Sequence, residues 1–125
     1  MSDVEGGRPP ELAWVAIERH SGTVLARLSG EIDLSNAGAV EEQVTGGLAG
    51  ATAVAVDLSG LSYLDSAGLA LLSRLAGRLS ELSGSLRLVV PSDAFVGRTL
   101  SISGLASAIP VDETVEAALA ALAGG

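Results

Sequence analysis

The sequence predicts a single α/β domain with a mixed, mostly parallel sheet of about five strands and about four helices. Its 125 residues are the length of one ordinary domain. Hydrophobic residues make up 48% of the chain, and almost all of them are aliphatic, which suits a core between a sheet and helices. Short apolar runs alternate with stretches of helical periodicity. That alternation is typical of parallel strands joined by crossover helices.

The N-terminal part predicts a β-hairpin whose first strand lies antiparallel at an edge of the sheet. Residues 12–17 form an apolar run, residues 18–22 are typical of a turn, and residues 23–28 alternate between apolar and polar positions. We expect Gly30 to end the second strand. Residues 31–34 would then lead out of the sheet.

An amphipathic helix and a buried parallel strand are predicted next. Ser35 or Asn36 would cap the helix, because either side chain can accept a hydrogen bond from an amide of the first turn. The apolar face of this helix consists of Val40, Val44 and Leu48. Residues 53–58 form a short run rich in alanine and valine, which predicts a buried strand.

A connection over residues 59–63 leads to a second helix, which begins near Asp65 or Ser66. Ser83 and Gly84 would stop it. Apolar residues recur along this helix at spacings of three and four, namely at Leu69, Leu72, Leu75 or Ala76, Leu79 and Leu82.

The C-terminal third continues the alternation of strands and helices. We expect a buried strand over residues 86–90, a short helix over residues 93–101 and a short last strand over residues 106–109. A final helix would begin at Pro110 or Asp112. Its apolar face consists of Val115, Ala118, Leu119 and Leu122.

The composition argues against several classes of function. Because the chain has no cysteine, it can form neither disulfides nor thiolate metal sites, and we expect a reducing, cytoplasmic location. A net charge of −8 and only one residue each of tryptophan, tyrosine and phenylalanine do not suit direct nucleic-acid binding. No apolar run approaches the roughly 20 residues that span a bilayer, so membrane insertion is not expected. Residues 1–10 predict a disordered tail, which leaves residues 11–125 as the domain.

The sequence offers no arrangement for catalysis. Residues 64–68 resemble the strand-to-helix turn of hydrolases, but that turn has a glycine two residues before its serine and a histidine later in the chain. Here Leu64 occupies the glycine position, and the one histidine, His20, precedes the serine. We therefore expect no enzymatic activity and no cofactor. The carboxylates that could at best hold a weakly bound Mg²⁺ are Asp33, Asp57 and Asp65.

Two interpretations of Ser66 follow from its position at the start of a helix. In the first, Asp65 or Ser66 caps the helix and stabilises it by about 1 kcal/mol. In the second, Ser66 receives a phosphoryl group from another enzyme, because the small residues Ala67 and Gly68 would let a partner's active site approach the hydroxyl. A helix N-terminus tolerates an anion, and the added charge of about −1.5 to −2 would act mainly on partners.

Several segments resemble the STAS family, in particular the bacterial anti-sigma factor antagonists. The most specific are Asp57-Leu58-Ser59 and Leu64-Asp65-Ser66-Ala67-Gly68-Leu69. Gly30-Glu31-Ile32-Asp33 precedes them and Ser103-Gly104-Leu105 follows, in the order and at the spacing of the family. The resemblance covers about residues 12–122, nearly all of the chain.

The resemblance implies a switch between binding partners. The unphosphorylated protein would bind an anti-sigma factor that is also a serine kinase, and the sigma factor would be released. The kinase, using its own ATP and Mg²⁺, would then phosphorylate Ser66 and end the binding, and a PP2C-type phosphatase would remove the phosphate. We expect the protein itself to be a monomer without a cofactor. The residues expected at the partner interface are Asp33, Asp65, Ser66, Ala67, Gly68 and Leu69.

One departure from the family pattern and one alternative function remain. Many members carry a second hydroxyl residue directly after the acceptor, whereas this chain has Ala67 there, which leaves Ser66 as the acceptor without ambiguity.

The alternative function is a structural role, as a stand-alone STAS subunit of a larger signalling scaffold or of a lipid-transport complex.

Overall fold

The protein is described by a computed structural model that covers residues 12–124. Five strands and five helices lie within that range. In chain order they are β1 (Ala13–His20), β2 (Thr23–Ile32), α1 (Ala37–Leu48), β3 (Ala53–Leu64), α2 (Ser66–Glu81), β4 (Ser85–Val89), α3 (Phe95–Ser103), α4 (Leu105–Ala108), β5 (Val111–Asp112) and α5 (Val115–Gly124). The predicted α/β class is confirmed.

The strands form one mixed sheet in the order β1-β2-β3-β4-β5. β1 pairs antiparallel with β2, and all other neighbouring strands are parallel, as predicted. The register between β2 and β3 shifts twice, between Arg27 and Ser29 and between Gly30 and Glu31. These bulges bring Ile32 opposite Leu64, so that the two strands end side by side.

Helices cover the two faces of the sheet to different extents. α1 to α4 pack against one face and enclose the larger core, which includes Val24, Val56 and Leu72. Within residues 12–124, α5 is the one helix on the opposite face, where Ala118 is buried against Leu25, Ala55 and Val89. We call this second side of the sheet the α5 face.

The two predicted central helices are confirmed, with small differences in α2. The predicted apolar face of α1 is buried in full. In α2 the buried residues include Leu71, which the predicted face lacked, whereas Leu82 is exposed. Leu82 lies outside the core because α2 ends at Glu81, and Ser83 then takes a left-handed conformation with φ of 58°.

Three strands are longer than predicted, and the first of them, β1, includes residues 18–20, which were predicted as part of a turn. β2 continues through Gly30, which has φ of +92° and lies so close to β1 that an added Cβ would be 2.1 Å from the Leu12 carbonyl oxygen. Glycine at this position therefore permits a bulge and does not end the strand. β3 likewise includes residues 59–63, which were predicted as a connection, because they pair with the bulged end of β2.

The predicted last strand over residues 106–109 is wrong. Residues 105–108 form the short helix α4, which follows directly on Gly104 in the left-handed conformation. The strand itself lies further on, since the amide of Leu88 donates to the Pro110 carbonyl (2.9 Å) and that of Val90 to the Asp112 carbonyl (2.8 Å). The final helix accordingly begins at Val115, not at Pro110 or Asp112.

The predicted disordered tail over residues 1–10 lies outside the described residues. Among residues 12–124, no helix has both the length and the hydropathy that crossing a membrane would require.

Candidate functional site

Asp65 connects the end of β3 to the start of α2. Its backbone amide donates to the Ile32 carbonyl (3.2 Å), which continues the pairing of β2 with β3 by one residue. Its side-chain Oδ1 accepts hydrogen bonds from the amides of Ala67 (2.9 Å) and Gly68 (3.3 Å). These are amides that a helix start leaves without an intrahelical partner, so Asp65 is the N-cap of α2.

Ser66 is the first residue of α2 and is exposed to solvent. The sequence left open whether Asp65 or Ser66 caps this helix, and the structure assigns the cap to Asp65. Within residues 12–124, the Ser66 hydroxyl makes no hydrogen bond. The hydroxyl is therefore not needed to start the helix and is accessible from outside.

The loop between β2 and α1 lies against the start of α2. The amide of Leu34 donates to Asp65 Oδ2 (3.2 Å), so one carboxylate links this loop to the helix. Asp33 Oδ1 accepts from the amide of Ser35 (2.9 Å), and Asn36 Oδ1 accepts from the amide of Asp33 (3.0 Å). This network places the loop that carries Asp33 beside the start of α2.

Asn36 precedes α1 but does not cap it with its side chain, in contrast to one of the two predictions for this helix. Its Nδ2 instead donates to the Glu31 carbonyl (2.8 Å). The side chain thus connects the end of β2 to the loop, and it is buried there.

The three residues after Ser66 differ in what they offer to a partner. Ala67 and Leu69 are half-buried and pack against the larger core. Gly68 is buried, and an added Cβ would lie 2.2 Å from Cδ1 of Leu64 and 3.2 Å from Cγ2 of Ile32. The close packing of α2 on the strand ends therefore explains this glycine without reference to the approach of a partner.

The predicted trio of carboxylates is not brought together. Asp57 lies on the α5 face and is 4% exposed. Its Oδ2 accepts from Nη1 of Arg27 (3.0 Å) and its Oδ1 from the amide of Ser59 (2.9 Å). Asp33 and Asp65 lie beside the start of α2 instead. Residues 12–124 contain no group of three His, Cys, Asp or Glu side chains that could hold a metal ion.

His20 lies far from Ser66, at the opposite end of the sheet. It is exposed at the end of β1, and its Nε2 lies 3.1 Å from Oε1 of Glu18. Its pairing partner Thr23 lies opposite Ala53, the first residue of β3, whereas Ser66 follows the last residue of β3. The imidazole therefore cannot act as a general base for this hydroxyl.

Leu34 is a feature of the site that the sequence prediction missed. Its side chain is 84% exposed, although its backbone is held by Asp65. A leucine between Asp33 and Ser35, in a polar loop with no apolar periodicity, was the available signal. The site thus presents one apolar side chain, one free hydroxyl and two carboxylates on the same surface.

A model of the STAS domain family matches residues 15–118, most of the chain. The chain belongs to the STAS family. The Anti-sigma-F factor antagonist RsfB of Mycobacterium tuberculosis is 30% identical over 118 residues, which are 93% of this chain and 94% of that protein. The predicted resemblance is confirmed at the level of the family.

Solved structures agree with this assignment. An anti-sigma factor antagonist from Mycobacterium paratuberculosis superposes with a TM-score of 0.76 at 28% identity, over 92% of this STAS chain and 97% of that chain. The Bacillus cell fate determinant SpoIIAA in its phosphorylated form gives a TM-score of 0.67 at 26% identity, over 87% of this chain and 99% of that one. The fold is thus shared along almost the full length of these proteins.

Proposed function

We propose that this STAS protein is an anti-sigma factor antagonist whose binding is switched by phosphorylation of Ser66. The form with a free hydroxyl binds an anti-sigma factor serine kinase, which then releases its sigma factor. The observation that carries the proposal is the exposed Ser66 hydroxyl without a partner, at the start of a helix that Asp65 already caps. The relatives named anti-sigma factor antagonists, and the phosphorylated state of SpoIIAA, support it.

The local electrostatics explain why a phosphate would change binding. A phosphoserine carries about −1.5 to −2 charges at neutral pH. The amides of Ala67 and Gly68, which could otherwise donate hydrogen bonds to the phosphate oxygens, already donate to Asp65. None of the ion pairs found among residues 12–124 joins a basic side chain to Asp65. The phosphate would therefore add to a negative surface, and a partner that buries the neutral hydroxyl would have to bury an unpaired dianion.

The proposed contact surface combines the start of α2 with the neighbouring loop. Asp33, Asp65 and Ser66 supply its polar groups, Leu34 supplies an exposed apolar side chain, and Ala67 and Leu69 flank the hydroxyl on α2. Gly68 is buried and supports this surface indirectly, because its lack of a side chain lets α2 lie close to β3. The kinase would bring ATP and Mg²⁺, so the antagonist needs no cofactor.

The first test is the site of phosphorylation. Incubation with the anti-sigma factor kinase encoded in the same genome and ATP should add one phosphate, detected as a single increment in intact mass. Ser66→Ala should abolish the increment, and Ser73→Ala, which removes an exposed hydroxyl further along α2, should not. Equal labelling of wild type and Ser66→Ala would contradict the proposal. A PP2C-type phosphatase should then restore the original mass.

The second test is the effect of charge on binding. Ser66→Asp should weaken the affinity for the kinase at least tenfold, which is about 1.4 kcal/mol. Ser73→Asp adds the same charge to the same helix and should leave the affinity nearly unchanged. Isothermal titration calorimetry measures both. If the two variants bound equally well, local charge at Ser66 could not be the switch.

A further inference from the structure

The α5 face carries an open groove that the proposed Ser66 switch does not use. It consists of two adjoining depressions that share Arg27, Asp57 and Ser59 as lining residues. One, of 510 Å³, extends to Trp14 on β1. The other, of 240 Å³, extends to the residues just before and at the start of α5, including Glu113 and Glu116. We call the two together the Trp14 groove.

An exposed tryptophan forms one end of the Trp14 groove. Trp14 is 60% exposed on a strand that α5 does not cover. Its neighbours across the sheet are small: Trp14 lies opposite Ser29, and Ser29 lies opposite Gly60. A Cβ on Gly60 would approach the Cβ of Ser29 to 2.9 Å. Among residues 12–124, the residues directly across the sheet from the indole are therefore too small to cover it.

Carboxylates form the other end of the groove. Glu113 and Glu116 are both exposed, and neither takes part in an ion pair among residues 12–124. The basic residue of the groove, Arg27, is already engaged by Glu18 (2.7 Å) and by Asp57 (3.0 Å). Carboxylates therefore outnumber guanidinium groups around the groove, and the two at its far end form no ion pair within the described part of the chain.

From these observations we propose that the Trp14 groove binds an extended segment of a partner protein that carries an apolar side chain and, a few residues away, basic side chains. The apolar side chain covers the indole of Trp14, and the basic side chains meet Glu113 and Glu116. Trp14 lies on β1 and Glu113 directly follows β5, four strand spacings away. That distance is about 19 Å, which about six extended residues can span. A second copy of this chain fits the groove poorly, because each copy carries a net charge of −8.

The groove is separate from the Ser66 site. α2, which carries Ser66, packs on the opposite face of the sheet. A segment bound beside Trp14 therefore leaves the Ser66 hydroxyl accessible to a kinase. The inference goes beyond the proposed function, since it adds a second surface that can stay occupied while the first partner binds and leaves.

Trp14 makes the test direct, because it is the one tryptophan in the chain. The probe is the synthetic peptide acetyl-Ser-Leu-Ser-Gly-Ser-Arg-Arg-amide, which contains no aromatic residue. Titration of the full chain should shift the tryptophan emission saturably to shorter wavelength, with a Kd below about 1 mM. Replacing the two arginines of the peptide by glutamates, or its leucine by serine, should weaken binding at least tenfold.

Variants of the protein locate the peptide. Glu113→Gln combined with Glu116→Gln should weaken binding at least tenfold. Glu42→Gln combined with Glu81→Gln removes the same charge from exposed positions on the other side of the molecule and should retain the affinity. Ser66→Asp should also retain it, within about twofold, because the two surfaces are separate.

Several outcomes would overturn the proposal. They include no saturable change in emission, equal binding of the glutamate peptide, and an equal loss in the two glutamine pairs. Sedimentation that shows a dimer lost in Trp14→Ser would assign the face to a second copy of the chain. A shift in emission on deletion of residues 1–11 alone, without peptide, would assign it to the N-terminal segment.

Discussion

Asp57 and Asp65 are two carboxylates of the same β-strand and its exit, yet the protein stabilises them in different ways. Asp57 is buried on the α5 face and pairs with the guanidinium of Arg27. Asp65 is half-buried and accepts hydrogen bonds from backbone amides only, two from the first turn of α2 and one from Leu34. The negative charge of Asp57 is thus stabilised by an ion pair, and that of Asp65 by backbone amides, two of which belong to the start of a helix.

This difference indicates where added negative charge has consequences. Near Asp57 a basic side chain is present but already shared with Glu18. Near Asp65 the amides of Ala67 and Gly68 already donate to its carboxylate, so these two donors are not available to a phosphate on Ser66. The helix start is thus built to hold one carboxylate, and further charge there faces the partner rather than the fold.

The largest effect on stability is expected from Asp57→Ala. It would lower the free energy of unfolding by about 2 kcal/mol, since it leaves the Ser59 amide without its acceptor and the Arg27 guanidinium without one of two carboxylates. Urea unfolding measures the change. Asp93→Ala, at an exposed turn, should stay within about 0.5 kcal/mol of wild type. A loss as small as that control would mean that the ion pair is not what holds Asp57.

Asp65→Ala should cost slightly less, about 1–2 kcal/mol, because it removes an N-cap and the acceptor of the Leu34 amide. Asp65→Asn keeps an oxygen in the capping position and should recover most of the loss. Amide hydrogen exchange tests the contact with the loop directly, because the Leu34 amide loses its acceptor and should exchange faster in the alanine variant. If stability fell but Leu34 exchange did not change, the link between loop and helix would be refuted.

The comparison also shows what the sequence could and could not predict. The α/β class and the apolar faces of α1 and α2 followed from the apolar periodicity, because the side-chain pattern decides which face of a helix is buried. The position of β5 could not be predicted in this way. Its two residues are defined by backbone pairing with β4, and two residues are too few to show an alternation of apolar and polar side chains. The extension of β3 through residues 59–63 likewise depends on bulges in the partner strand, which lie far away in sequence.

The start of α2 was predicted within one residue, but which of Asp65 and Ser66 caps the helix was not. Asp65 and Ser66 are both good caps, and propensity does not distinguish them. In the structure the Asp65 carboxylate also accepts a hydrogen bond from the Leu34 amide, which belongs to another loop and is not evident from the local sequence. The sequence had grouped Asp33, Asp57 and Asp65 as possible metal ligands. Asp57 instead lies on the α5 face, where it pairs with Arg27, because that position depends on strand pairing between distant parts of the chain.

Two glycines of α2 offer a test of the close packing behind the Ser66 site. Gly68→Ala should destabilise the protein by about 1 kcal/mol, because its Cβ would overlap Cδ1 of the buried Leu64. Gly77→Ala, where nothing lies within 4 Å of the added Cβ, should stabilise it by up to about 1 kcal/mol through helix propensity. Thermal unfolding of the two variants compares them directly. Equal gains in both would show that α2 does not depend on Gly68 to approach β3.

The smallest effect concerns pH and the ion pairs around Asp57. The pKa of Glu18 lies below its usual value of 4.5, chiefly because Arg27 donates a hydrogen bond to its carboxylate, with a smaller contribution from His20. A lowered pKa in the folded state means that Glu18 stabilises the fold above pH 4.5 and loses this effect as the pH falls through the folded value.

Glu18→Gln should therefore reduce the loss of stability below pH 4.5 in urea unfolding, and Glu81→Gln should not. Since the Glu18–Arg27 pair is exposed to solvent, the flattening should be small and shrink further in high salt. A fall that high salt leaves unchanged in wild type would place its origin at a buried group, not at this pair.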